Sequence, residues 1–127
     1  MAFENCDVHP DDVFSVLDAL SVPGWGLAWD VNNNWYCDER REDEDAYIER
    51  LATRALCVHV KAGGALNWLK RELIPYKKIL KVCQELGLGG PVSAETHNPQ
   101  KAFPCKDVSR QVIEVIRLAW PEGCRRA

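Results

Sequence analysis

Apolar side chains recur at three- and four-residue intervals over several stretches of this chain and alternate with polar ones over two others. The spacing predicts a helix over residues 10–21. Pro10 suits a first helical turn, and Asp11 and Asp12 favour the positive end of the helix dipole. Val13, Val16, Leu17 and Leu20 form one apolar face, and Pro23-Gly24 ends the segment. A second helix starts in the run DERREDED and carries Ile48, Leu51, Ala52 and Ala55 at helical spacing. Leu66, Leu69, Leu73, Tyr76, Leu80 and Cys83 hold the same rhythm across Pro75, which either kinks one helix or opens another. Gly87, Gly89 and Gly90 stop it. A last helix is expected from Asp107, a good N-cap, to Trp120, with Val108, Val112, Val115 and Ala119 as its core stripe.

The alternating stretches are WGLAWDV and ALCVHVK. In the first, Trp25, Leu27, Trp29 and Val31 interleave with Gly26, Ala28 and Asp30, the pattern of a half-buried strand. Asn32-Asn33-Asn34 has turn chemistry, because asparagine tolerates positive φ. Trp35-Tyr36-Cys37 would then return as the second arm of a hairpin. ALCVHVK reads either as the end of the second helix, the preferred reading, or as a strand over 55–61. Residues 89–106 hold three prolines without a period and read as a long loop. The expected fold is mainly α: one domain over residues 1–127, with four to five helices and a short β-hairpin near residues 25–37. The alternative is α+β, with a third strand at 55–61.

Composition narrows this little. With 46% hydrophobic and 28% charged residues, 127 residues suit one soluble domain with its own core. No apolar run approaches the roughly 20 residues that span a bilayer, so no membrane association is expected. MAFENCDVHP has neither a basic nor an apolar leader region, which points to a cytoplasmic protein. In that setting the six cysteines read as reduced, mostly buried thiols, with Cys124 in the tail the most reactive.

Charge changes the picture more. Residues 1–60 carry a net −9 and residues 61–127 a net +6. The carboxylates of the acidic run partly serve a helix start, but the excess is wider than that. It favours a non-enzymatic protein–protein interaction module that occludes a basic site on its target, in the style of small inhibitors that viruses and mobile elements use against host defences. Trp35, Tyr36, Asp38, Glu39, Glu42, Asp43, Asp45 and Glu49 would form the contact, and the partner would be a protein with a basic surface, such as one that handles nucleic acid.

Two alternatives remain open. Lys70, Arg71, Lys77, Lys78 and Lys81 share a basic helical arc that suits a nucleic-acid-binding regulator. KVCQELGLGGPVSAET resembles a helix-turn-helix outline, although Pro91 and Pro99 oppose a second helix. A Cys/His metal protein or enzyme is the other alternative. Cys6-x-x-His9 and Cys57-x-His59 have ligand-like spacing, but a structural zinc site normally shows two tight pairs. No P-loop, nucleophile elbow or dinucleotide glycine pattern is present. No catalytic residue, metal ligand or cofactor is therefore assigned from the sequence.

Overall fold

The computed structural model describes residues 1–6, 8–34, 43–61, 74–95 and 105–119, apart from the side chains of Asn34, Cys105, Val108 and Val115. In chain order the elements are β1 (Ala2–Glu4), α1 (Pro10–Leu20), β2 (Gly26–Asp30), α2 (Val31–Asn34), α3 (Glu44–Arg54), β3 (Ala55–Lys61), α4 (Tyr76–Glu85), β4 (Val92–Glu95) and α5 (Cys105–Ala119). The four strands make one sheet in the order β1-β2-β3-β4, and every neighbouring pair is parallel. The architecture is α/β, which overturns the mainly α expectation and its α+β alternative.

The hairpin is the clearest correction. Its first arm exists as β2, but β2 pairs with β1 and β3 and not with a returning segment. All five β2 residues are buried, because this is an inner strand. Asn32 and Asn33 do not turn the chain back. They open the one-turn helix α2, whose first N–H groups are taken by the Asp30 carboxylate. Residues 35–37, the expected second arm, lie outside the described residues.

ALCVHVK is the strand β3 over 55–61 and not a helix end. Helix α3 stops at Arg54, and the chain becomes extended at Ala55 (ψ 129°). Two strands have no counterpart among the sequence patterns: β1, of three residues, and β4, inside the expected loop. Gly90 allows β4 to form beside β3. A Cβ there would stand 1.7 Å from the Leu56 carbonyl oxygen.

The helices follow their periodicity more closely. α1 begins at Pro10 behind His9, whose Nδ1 accepts from Asp11 N at 3.1 Å. It buries Val13, Phe14 and Leu17, whereas Val16 and Leu20, expected in the core, are about half exposed. Asp43 caps α3 by accepting from Ala46 N at 2.9 Å. α4 starts after Pro75 and ends before Gly87 at φ 81°. α5 buries Val112 and Ala119.

Consecutive parallel strands joined by right-handed crossovers place their helices on one face of the sheet. The core has that form. Strand residues Phe3, Leu27, Trp29, Val58, Val60 and Val92 pack with the apolar sides of α1, α3, α4 and α5. Side chains alternate along each strand, so the registers Ala28↔Cys57, Asp30↔His59, His59↔Ser93 and Lys61↔Glu95 assign the polar residues to the other face.

Charged side chains also pair across the solvent side of the helical layer. Arg50 pairs with Asp11, and Arg54 with Asp18 at 2.9 Å while lying over the Phe14 ring. Lys78 on α4 pairs with Glu44 at 2.8 Å and with Asp45, both in the first turn of α3. Among the described residues, no helix is long and apolar enough to cross a membrane.

Candidate functional site

Each strand ends on a charged residue: Glu4 on β1, Asp30 on β2, Lys61 on β3 and Glu95 on β4. Because the strands are parallel, those four ends lie along one edge. Open parallel sheets bind ligands beyond the carboxyl ends of their strands where the strand order reverses; the order β1-β2-β3-β4 has no reversal among the described strands, so this edge is a candidate through its charged residues alone. His59, two residues before Lys61 and opposite Asp30, adds an imidazole to the same face.

Asp30 is the centre of this group and is fully buried. Its backbone is held by the buried side chain of Asn5. Asn5 Nδ2 donates to the Asp30 carbonyl at 3.0 Å, and Asp30 N donates to Asn5 Oδ1 at 2.8 Å. Asn5 thereby extends the β1–β2 ladder by one side-chain step. Asp30 Oδ1 accepts from the backbone N–H groups of Asn32 (2.8 Å) and Asn33 (3.2 Å). Asp30 Oδ2 is turned toward the cluster, with the Lys61 ammonium 2.6 Å away as an ion pair.

Lys61 is held from three sides. Besides Asp30, its Nζ lies 3.3 Å from Glu95 Oε1 and donates to Asn33 Oδ1 at 3.1 Å. Burial by itself would lower its pKa. The hydrogen bonds and charges of Asp30 and Glu95 outweigh that, so the ammonium is held above its ordinary range. Asn33 Nδ2 also reaches Glu4 Oε1 at 3.4 Å. The Tyr76 hydroxyl, brought from α4, donates to Asn32 Oδ1 and lies 3.2 Å from the Lys61 carbonyl. His59 Nδ1 stands 3.6 Å from Glu95 Oε2, without a hydrogen bond.

One donor atom from each of Glu4, Asp30, His59 and Glu95 lies within 4.8 Å of every other. Carboxylate oxygens around a divalent cation at about 2.0–2.2 Å stand about 3–4.4 Å apart, so small rotations would close this set on an ion. Three carboxylates and one imidazole suit magnesium or manganese better than soft metals. The polar face also carries Cys57. Burial, with the charge of Glu4 adding to it, raises its thiol pKa, which disfavours the thiolate that a nucleophile needs.

The residues singled out from the sequence lie elsewhere. Trp35, Tyr36, Asp38, Glu39, Glu42, Lys70 and Arg71 are outside the described residues. Asp43 is the cap of α3, and Asp45 is paired with Lys78. Glu49 is exposed, Lys77 is exposed, and Lys81 lies 3.6 Å from Glu85. Lys78 therefore answers the acidic start of α3 instead of lining a separate basic face. Of the two Cys/His pairs, Cys6 is exposed and His9 caps α1, while His59 joins carboxylates and not cysteines.

The strand-end residues escape the sequence patterns, although a signal exists. AFE, GLAWD, ALCVHVK and VSAE each close a short apolar or small-residue run on a charged side chain. No family model matches this chain, and no curated protein matches it either.

Proposed function

We propose that this chain is a divalent-cation-dependent hydrolytic enzyme whose site is the carboxyl edge of its parallel sheet. The observation that carries the reading is the convergence of Glu4, Asp30, His59 and Glu95, from four successive strands, to within 4.8 Å. A structural role alone explains this poorly. Three carboxylates converge here, the fully buried Asp30 among them, while Lys61 brings one positive charge to Asp30 and Glu95, and buried charge is costly unless it is balanced. A cation of the magnesium class held here would act as a Lewis acid and lower the pKa of a bound water. Glu4, Asp30, His59 and Glu95 would hold the ion, and the chemistry it would supply is activation of water for hydrolysis.

Titration of Mn²⁺ into the purified chain, followed by electron paramagnetic resonance, tests the reading. One tightly bound ion per chain is expected, and Asp30→Asn should weaken it at least tenfold. No binding by the wild-type chain at millimolar Mn²⁺ or Mg²⁺ would overturn it.

The protein-contact reading is a second proposal, favoured by one feature. A groove of about 380 Å³ between α3 and α4 has Asp45 and Glu49 on one wall and Lys78 and Lys81 on the other, with the apolar Leu86 exposed beside it. Reversal of Glu49 to Lys should weaken capture of a basic partner under that reading, and unchanged capture would remove Glu49 from it.

A further inference from the structure

Among the described strands, β1 has a neighbour on one side only. Met1 O accepts from Gly26 N at 3.1 Å, and along a parallel ladder alternate residues turn both backbone groups to the same neighbour. Met1 and Phe3 therefore face β2, while Ala2 and Glu4 turn their N–H and C=O groups outward. Both are exposed. Such a row of backbone groups is a template for one more strand.

The helix packed over this edge leaves an apolar groove beside it. One flank of α1 is closed by α3, through Asp11 with Arg50, Asp18 with Arg54, and the Phe14 ring under Arg54. The other flank borders β1. There Phe3, Val8, Val13 and Val16 line a groove of about 220 Å³, together with Glu4 and Asp12. Val8 is 43% and Val16 50% exposed, and Leu20, one turn beyond Val16, continues the open flank. Phe3 is fixed from behind by the Trp25 ring, 5.5 Å away between centroids.

An open strand edge beside an apolar groove is the arrangement that serves β-strand addition. Main-chain hydrogen bonds then supply affinity, and pockets for alternate side chains supply specificity. We propose that β1 accepts an extended segment of a partner protein in which apolar and basic residues alternate. The apolar side chains would lie on the Phe3 side of the sheet and fill the groove. The basic ones would lie on the other side, where Glu4 stands, as cross-strand pairs of opposite charge. Asp12 adds a second carboxylate at the groove. Charge also decides against a second copy on the same edge, because a two-fold contact would set Glu4 and Asp12 against their own counterparts. The inference does not rest on the cation site.

Fluorescence anisotropy with the labelled hexapeptide Lys-Val-Lys-Val-Lys-Val tests it. This peptide should bind at least tenfold more tightly than Glu-Val-Glu-Val-Glu-Val. It should also bind at least tenfold more tightly than its own form N-methylated at the residues that complete the ladder, both alternate registers being made. Val16→Ser should weaken binding at least tenfold and Asp12→Asn by a smaller factor, with circular dichroism confirming that both variants are folded. The Glu4 amide should gain protection from hydrogen exchange in the complex. No binding at millimolar peptide would overturn the inference. Binding that survives both N-methylation and Val16→Ser would be charge attraction alone and would overturn it as well. A peptide-free chain that sediments as a dimer, and becomes a monomer on Val16→Ser, would give the edge to a second copy instead. Mn²⁺ titration is read separately, so the cation site and this surface stand or fall independently.

Discussion

The side chain of Asn5 grips the backbone of Asp30 through both its amide atoms, at 3.0 and 2.8 Å, and both residues are buried. β1 ends one residue before Asn5, so its ladder with β2 is continued by a side chain where the main chain leaves the sheet. The consequence is that Asp30 can direct one carboxylate oxygen to α2 and the other to Lys61. Asn5→Ala would orphan a buried N–H and a buried C=O, at about 1–3 kcal/mol each when unsatisfied. Urea unfolding should show a loss within that range or somewhat above it, and Mn²⁺ binding should weaken in the same variant.

Asp30 and Lys61 should be strongly coupled. Removing one partner of a buried ion pair typically costs about 3–5 kcal/mol, because the other charge stays buried alone. Asp30→Asn and Lys61→Met should therefore each destabilise the chain. The double variant should cost clearly less than their sum. A double-mutant cycle measured in urea checks this, and additivity would show that the two side chains do not depend on each other.

Gly90 should tolerate no side chain. The Cβ of Gly90→Ala would meet backbone at 1.7 Å, which no rotamer can relieve. Its neighbour Pro91 accepts the hydrogen bond from Val58 N at 3.2 Å that starts the β3–β4 pairing. The variant should lose β4, and with it Glu95. Reduced sheet content by circular dichroism together with weakened Mn²⁺ binding is the expected outcome. Normal values for both would contradict the close packing of β4 on β3.

Alkaline stability should be set in part by Cys83. This core thiol is pushed up to about 12 by burial. A group whose pKa is higher in the folded chain stabilises it below the unfolded value and ceases to do so as pH rises. The unfolded thiol ionises near pH 9. Stability should therefore fall from about pH 9 toward about pH 12, and Cys83→Ala should flatten that limb at the cost of about 1 kcal/mol at neutral pH. Mass spectrometry after brief alkylation should find Cys6, which is exposed, modified well before Cys83.

Much of the helical layer is legible in the amino-acid pattern itself. α1, α3, α4 and α5 announce themselves through spacing, because a helix is closed by hydrogen bonds among residues three to five apart, although α5 begins at Cys105 and takes Asp107, the expected N-cap, into its first turn. Pro10 and Gly87 mark ends that the fold keeps. Even here periodicity places only half of the core side of α1. Phe14 is inside and Val16 outside, since the sheet and α3 decide which flank of an apolar face is covered. The charge asymmetry is also visible along the chain, but only contact shows that Arg50, Arg54 and Lys78 are partners of the acidic side chains they balance.

The sheet and the site belong to the tertiary structure. A hairpin declares its pairing through the turn between its arms, whereas a parallel pair joins strands on either side of a crossover. Ala2 pairs with Gly26 and Val58 with Val92, and no local pattern records those partners. Strands of three and four residues, such as β1 and β4, are too short for their alternation to stand out. The sequence by itself determined the helices, the two longer strands' alternation and the charges available. Only the fold decided that Glu4, Asp30, His59, Lys61 and Glu95, spread along most of the chain, would face one another. The physical reason is register: each stands at or near the end of a strand, and the ladder hydrogen bonds bring those ends to the same edge.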